Sequence, residues 1–587
     1  MQRARKLLGR AALAVLGPLL VLGACEAILR GFNIGHPTAF LLEADVRGKA
    51  ALVNNPFYGY RFFPPALARN PAPIVTTREK PADTIRIVVL GESAAQGDPV
   101  IEFGLPRMLE RMLNEAGPGV RFEVVNAAMT AINSHVIQDI ARDTLACQPD
   151  LYILYIGNNE VIGPYGPGTV FTAWPGLMRL APLRVSLTRH RLSFALRQMV
   201  DALQGGAAGP AQWDGLAMFA ERAVPADAPS LEVMTDQFAR NLSRIVRAAQ
   251  RQGAQVILSS VAVNLSDCSP FGQDPAAHAE YERAQTLLRQ GARGEALAAF
   301  KQARDLDTQR FRTDSRLNAR LHVLAGELNT AWVDAERAFE EAAENGVPGR
   351  ALFLDHVHFT FEGNVVLARA FAEQVAALFP EVSFASPFPD KAGMHEAMFY
   401  SPWCQRRSAQ IMSDRRRLPP FRDQPDNAAQ LQELETIINE QTARINQSDL
   451  DEWRARYEAL QARYPNDFFL AFQWGAALCE LGHWVEAAGL LSEAMTWTPL
   501  HFEARKLPAL ALSRSGEVTR AAETLLGPAS HRGDFVAEYT LDLMRLLDRS
   551  GYPAEATRLG RAVLEQAPNL PQRQRVVTAL RALESRS

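Results

Sequence analysis

Residues 88–99, VVLGESAAQGDP, carry an apolar run into Ser93, which sits between Gly91 and Gly97 with Glu92 beside it. A serine in a glycine-rich turn is often a turn residue and nothing more. A serine that does chemistry needs a base within hydrogen-bond reach, because its hydroxyl alone is a weak nucleophile. The chain offers such a base far downstream, in FLDHVHFTFEGN (353–364), which holds Asp355, His356 and His358. An aspartate three positions before a histidine can turn back onto the imidazole, fix its tautomer and leave the other ring nitrogen for the serine. The same residues also read as ordinary strand-end polar groups. His356 and His358 at i, i+2 could instead be metal ligands, but no third ligand cluster is evident nearby, so no metal site is expected.

These groups need a scaffold. From Ile85 short β-branched runs, IRIVVL (85–90), RFEVVN (121–126), LYILYI (151–156), AQVILSS (254–260) and the weaker TAWVD (330–334), alternate with amphipathic stretches such as 103–117 and 230–254. That alternation implies a parallel sheet covered by helices on both faces. Chemistry in such sheets sits at the carboxyl ends of strands. Ser93, Asn126 and Gly157-Asn158-Asn159 each fall just past an expected strand end.

The chain has 587 residues, 62 basic and 65 acidic side chains and a formal charge of −3, too long for one core and without a global field that would attract nucleic acid. Its five cysteines are scattered with no CxxC pair, so no zinc ribbon or redox pair is legible. GESAAQG lacks the Lys-Ser/Thr of a phosphate loop, and GPYGPG (163–168) is a proline-rich loop. At the N-terminus, Arg3, Arg5, Lys6 and Arg10 precede an apolar stretch that stays uncharged from Ala11 to Cys25 and ends at Glu26 and Arg30. A basic flank before an apolar run reads as a membrane anchor or export signal, so residues 1–30 are expected to attach the chain to a membrane with its bulk extracytoplasmic, in the periplasm of a bacterium. Leu22 to Cys25 also resembles a lipobox, with Cys25 as a lipidated N-terminus. Residues 31–84 read as a linker or N-terminal extension, and 386–435, rich in Pro, Arg and Asp, as a second linker.

Beyond 436 strands vanish and a repeat begins. Residues 468–499 place Trp474, Gly475, Gly482, Ala487, Leu491, Ala494 and Pro499 at the small and apolar key positions of a tetratricopeptide (TPR) repeat. Gly516 with Ala521, and Gly551 with Ala556 and Pro568, recur at a period of about 34 residues. An array over 436–587 is expected, its extended surface recruiting a protein partner. A diverged copy at about 276–310 (Ala284, Gly291, Ala296, Phe300, Ala303) reads as a helical insertion between the fourth and fifth strands.

In order along 85–385, Gly91-Glu92-Ser93, VVNAAMTAINSH, Gly157-Asn158-Asn159-Glu160 and Asp355-His356-Val357-His358 resemble the four signature blocks of the SGNH (GDSL-like) hydrolase superfamily. The resemblance implies a three-layer α/β/α, flavodoxin-like parallel sheet, with Ser93 as nucleophile, His358 as base and Asp355 as its partner. It further implies an oxyanion hole from the backbone N–H of Ser93 and Ala131 and the side chain of Asn159, and no cofactor. Three positions depart from the pattern: Ala131 stands for a glycine, and Glu92 and Glu160 stand for aspartates. Alanine keeps the backbone N–H provided the local backbone suits a residue with a Cβ.

The expected activity is hydrolysis of an acyl ester, which could be carbohydrate-linked. The alternatives are an O-acyltransferase acting on an envelope or exported polysaccharide, which would use the same three groups, and a catalytically silent scaffold. Four arginines after the insertion, Arg310, Arg312, Arg316 and Arg320, read either as contacts to an anionic substrate or as a solvated helix face.

Overall fold

The computed structural model describes all residues except 1, 65–66, 118, 172–174, 204–214, 385–386, 448, 529–532 and 586–587. Residues 31–84 hold a small antiparallel sheet, β1 (Leu41–Val46), β2 (Lys49–Asn54) and β3 (Val75–Thr76), in that order. The five β-branched runs then form β4 (Thr84–Gly91), β5 (Arg121–Asn126), β6 (Leu151–Tyr155), β7 (Gln255–Ser259) and β8 (Ala331–Val333). These pair in parallel in the order β5-β4-β6-β7-β8, the doubly wound flavodoxin-like order. Ile87, Val88, Val89 and Leu90 of β4 are wholly buried. A strand sealed on both faces has no solvent side to alternate with.

Two groups of helices supply the covers. Leu105–Ala116 packs with Phe361–Leu378, while Ser134–Thr144 and Ser315–Glu327 both pack on Pro229–Arg251. The chain leaves β4 toward β5 on one side and returns to β6 on the other. The crevice that opens at such a switch point is where ligands of these sheets bind, and Ser93 is the second residue beyond β4.

Between β7 and β8 the helices Pro275–Arg289 and Arg293–Leu306 pair through a core of their own, with Tyr281, Ala284, Ala296 and Phe300 buried. The C-terminal part is all-helical. Phe468–Glu480 pairs with Trp484–Trp497, Lys506–Arg514 with Val518–Leu526, and Asp534–Arg549 with Pro553–Gln566. The small residues lie where helices touch: a Cβ on Gly475 would meet Leu491 at 2.5 Å, and Ala487, Ala521 and Ala556 have no exposed surface.

One expectation is corrected. Residues 386–435 are not an irregular linker. They form the helices Lys391–Ala397 and Pro402–Arg416, and the helix Asn427–Asn446 runs through the expected boundary at 435. Ser401 caps the second of these through the Cys404 N–H, and along the helix runs a buried stripe of Ala409, Met412, Ser413 and Arg416 that the charge-rich composition conceals. At the N-terminus Gln2–Gly31 is one helix, yet among the described residues no helix is long and apolar enough to cross a membrane. The uncharged stretch falls short of the roughly 20 residues a span needs. Glu26 is instead held by Arg30 at 2.6 Å and by the backbone N–H groups of Arg191 and Leu192 at 3.1 and 2.9 Å.

The helical part is bolted to the sheet domain by charge. Asp467, at the start of the helix Phe468–Glu480, accepts from Arg111 at 2.6 Å and from Arg107, both on the helix Leu105–Ala116. It also caps its own helix through the Leu470 N–H at 3.2 Å. The side chains of Arg111 and Asp467 are 2% and 6% exposed, so removing the acid strands buried guanidinium charge. Asp467→Ala is expected to cost about 3–5 kcal/mol, read as a lowered melting temperature of the full chain by calorimetry. A change within error would mean that the two parts are not coupled through this contact.

Candidate active site

The turn after β4 needs glycine at its first position. A Cβ on Gly91 would lie 2.3 Å from Ala95 Cβ and 2.4 Å from the Tyr155 carbonyl oxygen. Gly97 closes the turn at φ +100°, against the backbone of Gly104. Ser93 therefore opens a short helix, Ser93–Gln96, at the carboxyl edge of the central strand.

The segment 353–359 doubles back on itself, with Phe353 bridging Phe359 and the Leu354 N–H donating to the His358 carbonyl at 2.7 Å. Within it the Asp355 Oδ1 accepts the backbone N–H of Val357 and of His358 at 3.0 and 2.9 Å. The other carboxylate oxygen lies 2.7 Å from His358 Nδ1, and His358 Nε2 lies 2.8 Å from Ser93 Oγ. The structure thus brings the three residues expected to act together into one hydrogen-bonded line. Burial alone would raise the Asp355 carboxyl, but the charges of His358 and His356 and their hydrogen bonds hold it well below the usual carboxylate range. It is an anion suited to orienting an imidazole and stabilising its protonated form.

Asp355, His356 and His358 lie close enough to hold a metal ion. Both nitrogens of His358 are however already engaged, by Asp355 and Ser93. His356 is packed among the rings of Phe271, Phe311 and Phe421. The donor set fits a proton relay better than a coordination sphere.

Ala131 and Asn159 lie on the loops that follow β5 and β6, the two strands paired with β4. The backbone N–H groups of Ser93 and Ala131 and the side-chain amide of Asn159 have no hydrogen-bond partner among the described residues. Backbone donors in folded proteins are rarely left idle. Ala131 answers the question its sequence position raises: its φ is +63°, in the left-handed region where glycine is at ease and a Cβ is strained.

The two glutamates hold these loops together. Glu92, beside the serine, accepts the backbone N–H of Gly157, Asn158 and Asn159 at 3.2, 2.7 and 3.1 Å. Glu160 accepts from the Ser134 N–H at 2.6 Å and the Ser134 hydroxyl at 2.8 Å, at the start of the helix Ser134–Thr144. Burial and then the charge of Glu160 push Glu92 up to about 8 against the pull of its three N–H donors, and burial pushes Glu160 up to about 7.

Two groups that sequence reasoning does not single out complete the site. Asp98, in the loop after Ser93, has a carboxylate oxygen 3.4 Å from His358 Nε2. Arg415, on the helix Pro402–Arg416, reaches Asp98 at 2.7 Å, Asp355 at 3.2 Å and His358 Nδ1 at 3.4 Å. Burial would lower the Arg415 guanidinium, but the two acids raise it, so its charge is fixed. Asp98 lies within the GESAAQGDP stretch and was in reach of a reading by neighbourhood. Arg415 comes from SDRRRLPP, where no local signal separates it from its neighbours.

The four arginines after the insertion do not face the site. Arg312 is buried against the carbonyls of Asn264 and Cys268 at 3.0 and 2.9 Å and Arg310 against that of Val224 at 2.9 Å, while the half-buried Arg316 donates to that of Ala226 at 2.9 Å. Arg320 pairs with Glu327. Arg310 and Arg312 tie loops, which excludes both the anion-contact reading and the plain solvated-face reading for these two.

No family model matches the chain, and no curated protein matches it. Solved structures do resemble it over half its length. One is an acetyl xylan esterase, AlAXEase, at 14% identity over 50% of this chain and 100% of that one, with a TM-score of 0.27. A GDSL-like lipase from Bacteroides thetaiotaomicron VPI-5482 is 14% identical over 50% and 88%, with a TM-score of 0.24. An acetylxylan esterase from Geobacillus stearothermophilus is 16% identical over 50% and 94%, with a TM-score of 0.27. Scores of this size carry no functional inference for this chain.

Two outcomes follow from the geometry. Ala131→Gly keeps the N–H and relieves the left-handed strain, so thermal unfolding is expected to rise by the equivalent of about 1 kcal/mol; a loss of stability would mean the alanine methyl packs favourably enough to outweigh it. Glu92 binds its proton more tightly in the folded chain than in the unfolded one, so its contribution to stability is full below about pH 4.5 and is lost as pH rises through about 8. Between pH 6.5 and pH 8 stability is expected to fall by roughly 1–2 kcal/mol through Glu92. Denaturant melts of the wild type and Glu92→Gln across that window check it, the variant keeping only the slope that Glu160, raised to about 7, and the histidines supply.

Proposed function

We propose that the chain is an SGNH-type serine ester hydrolase, held at a membrane by residues 1–30, with its acyl-enzyme formed on Ser93. The observation that carries this reading is the unbroken line from Asp355 to His358 Nδ1, and from His358 Nε2 to Ser93 Oγ, at 2.7 and 2.8 Å. In the first half-reaction the Ser93 oxygen attacks the ester carbonyl carbon while its proton passes to His358 Nε2. The oxyanion takes hydrogen bonds from Ser93 N–H, Ala131 N–H and the Asn159 amide, each worth about 3 kcal/mol in the transition state. The C–O bond to the leaving group then breaks, and the alkoxide takes the proton back from His358. In the second half-reaction His358 deprotonates a water, which attacks the acyl carbon and releases the carboxylic acid and free Ser93.

Support for membrane attachment comes from the basic flank and from Leu16, Leu19, Leu20 and Val21, large apolar side chains left exposed on the first helix. A silent scaffold would have no reason to keep a serine hydroxyl aligned with a paired histidine.

The experiment is labelling of the full chain with a fluorophosphonate probe in membrane and soluble fractions. Labelling of the wild type in the membrane fraction is expected, with none in Ser93→Ala and a loss of at least about a thousandfold in small-ester turnover. Labelling that survives the substitution, or is absent throughout, would sink the enzyme reading. A labelled chain confined to the soluble fraction would remove the attachment alone.

A further inference from the structure

A cavity of about 1330 Å³ lies between the strand-end loops and the C-terminal helices. Gln96, Asp98 and Thr130 are among its walls. Asp98 is 3.4 Å from His358 Nε2, and Thr130 immediately precedes Ala131, so the cavity reaches the edge of the Ser93 site. A second wall comes from residues 68–72 of the N-terminal extension, and a third from the helices Phe468–Glu480, Lys506–Arg514 and Asp534–Arg549. The surface expected to recruit a protein partner therefore faces the serine.

We propose that this cavity is a binding cleft for the alcohol part of the ester, a neutral oligosaccharide chain lying along the helical array with its acylated hydroxyl presented to Ser93. The assignment rests on the hydrolase reading for its chemistry and on the walls for its ligand. Typical pockets for small ligands measure about 300–1,000 Å³, so the space exceeds what a short acyl group fills. Half-buried aromatic rings, Phe472, Trp484, Phe535 and Tyr539, line it; Arg407, Arg514 and Lys506 cover one face of the first, second and fourth, which leaves one face of each for the C–H face of a sugar ring. Between them stand paired charges, Glu538 with Arg575 at 2.7 Å and Glu480 with Arg406, whose remaining lone pairs and N–H groups can meet hydroxyl groups. An alkyl chain would find these charges costly to desolvate. A polyanion would meet Asp98, Glu480 and Glu538, and a polycation would meet Arg69, Lys506 and Arg575. A chain of uncharged, hydroxyl-bearing rings meets neither obstacle.

The test uses the full-length Ser93→Ala chain, so that binding is read without turnover. Unacetylated cello-, xylo-, manno- and chito-oligosaccharides of one to six units are titrated by calorimetry. Affinity for at least one series is expected to rise with length and to fall at least tenfold when Trp484→Ala is added. Glu538→Gln, which keeps the side-chain shape, is expected to weaken binding several-fold and guards against a folding defect in the tryptophan variant. In the chain with Ser93 intact, kcat/KM for the matching acetylated oligosaccharide should fall at least tenfold more in Trp484→Ala than that for p-nitrophenyl acetate. Binding of no series, or binding indifferent to length and to both variants, overturns the proposal. Preferential turnover of p-nitrophenyl palmitate without oligosaccharide binding also overturns it and makes the cavity an acyl channel. Oligosaccharide binding without fluorophosphonate labelling would leave the cleft standing and remove the hydrolase instead.

Discussion

The guanidinium of Arg415 is the contact on which the arrangement of the whole molecule turns. It lies against two carboxylates, Asp98 and Asp355, and an imidazole, His358, drawn from opposite ends of the sheet domain. Two acids set around one histidine would repel each other if left uncompensated in a buried space, and burying unpaired charge is among the costliest things a fold can do. The compensating cation comes from outside the sheet domain, on the helix Pro402–Arg416. The strand-end chemistry is therefore incomplete until that helix has docked. That helix is also held by Arg407 on Glu102 at 3.0 Å, and the helices beyond it are fastened by Asp467 between Arg107 and Arg111. The site and the helical part form one electrostatic construction rather than an enzyme with an appendage.

A second set of contacts fixes the loops to each other. Glu92 grips the backbone after β6, and Glu160 grips the start of the helix after β5. At both positions a glutamate stands where the pattern the sequence resembles has aspartate, and its carboxylate reaches a neighbouring loop. Burying two acids this close raises both. The backbone N–H groups they accept offset part of that cost. What results is a rigid rim, in which Ala131 is held at a backbone conformation that alanine would not choose alone.

The strands, the turn at Gly91 and the Asp355–His358 pair were legible because each has a short-range signature, whereas the strand order and the joining of Ser93 to His358, 265 residues on, came only from the resemblance of the four blocks. β-branched runs bounded by turns mark the strands, glycine marks the sharp turn at Gly91, and the spacing of Asp355 and His358 lets one carboxylate serve both backbone and imidazole. The expected strand ends at Ser93, Asn126 and Asn159 stand where the sheet puts them. What escaped is what depends on distance in the chain. Arg415 sits among three consecutive arginines, and only the docking of its helix selects it. The helix around it was hidden because composition averages over a turn, while Ala409, Met412 and Ser413 line up on one side of it. The apolar N-terminal run was legible as apolar, but its charged ends shorten it, and Glu26 finds its partners in the protein. The regular spacing of the C-terminal helices announced pairs of helices and could not announce which way their surface faces.

The charges around His358 bear on the proton transfer proposed for the site. Asp98 and Asp355 face Arg415, and Asp98 also feels the charge of Arg69. When the Ser93 proton moves to Nε2, the imidazolium places a further positive charge beside both acids. Asp355 at 2.7 Å and Asp98 at 3.4 Å then both lie beside a cation. Groups that interact more strongly with the transition state than with the resting state are the ones that lower a barrier. Because Ser93, Asp355 and His358 are each less than a tenth exposed, water screens this gain little.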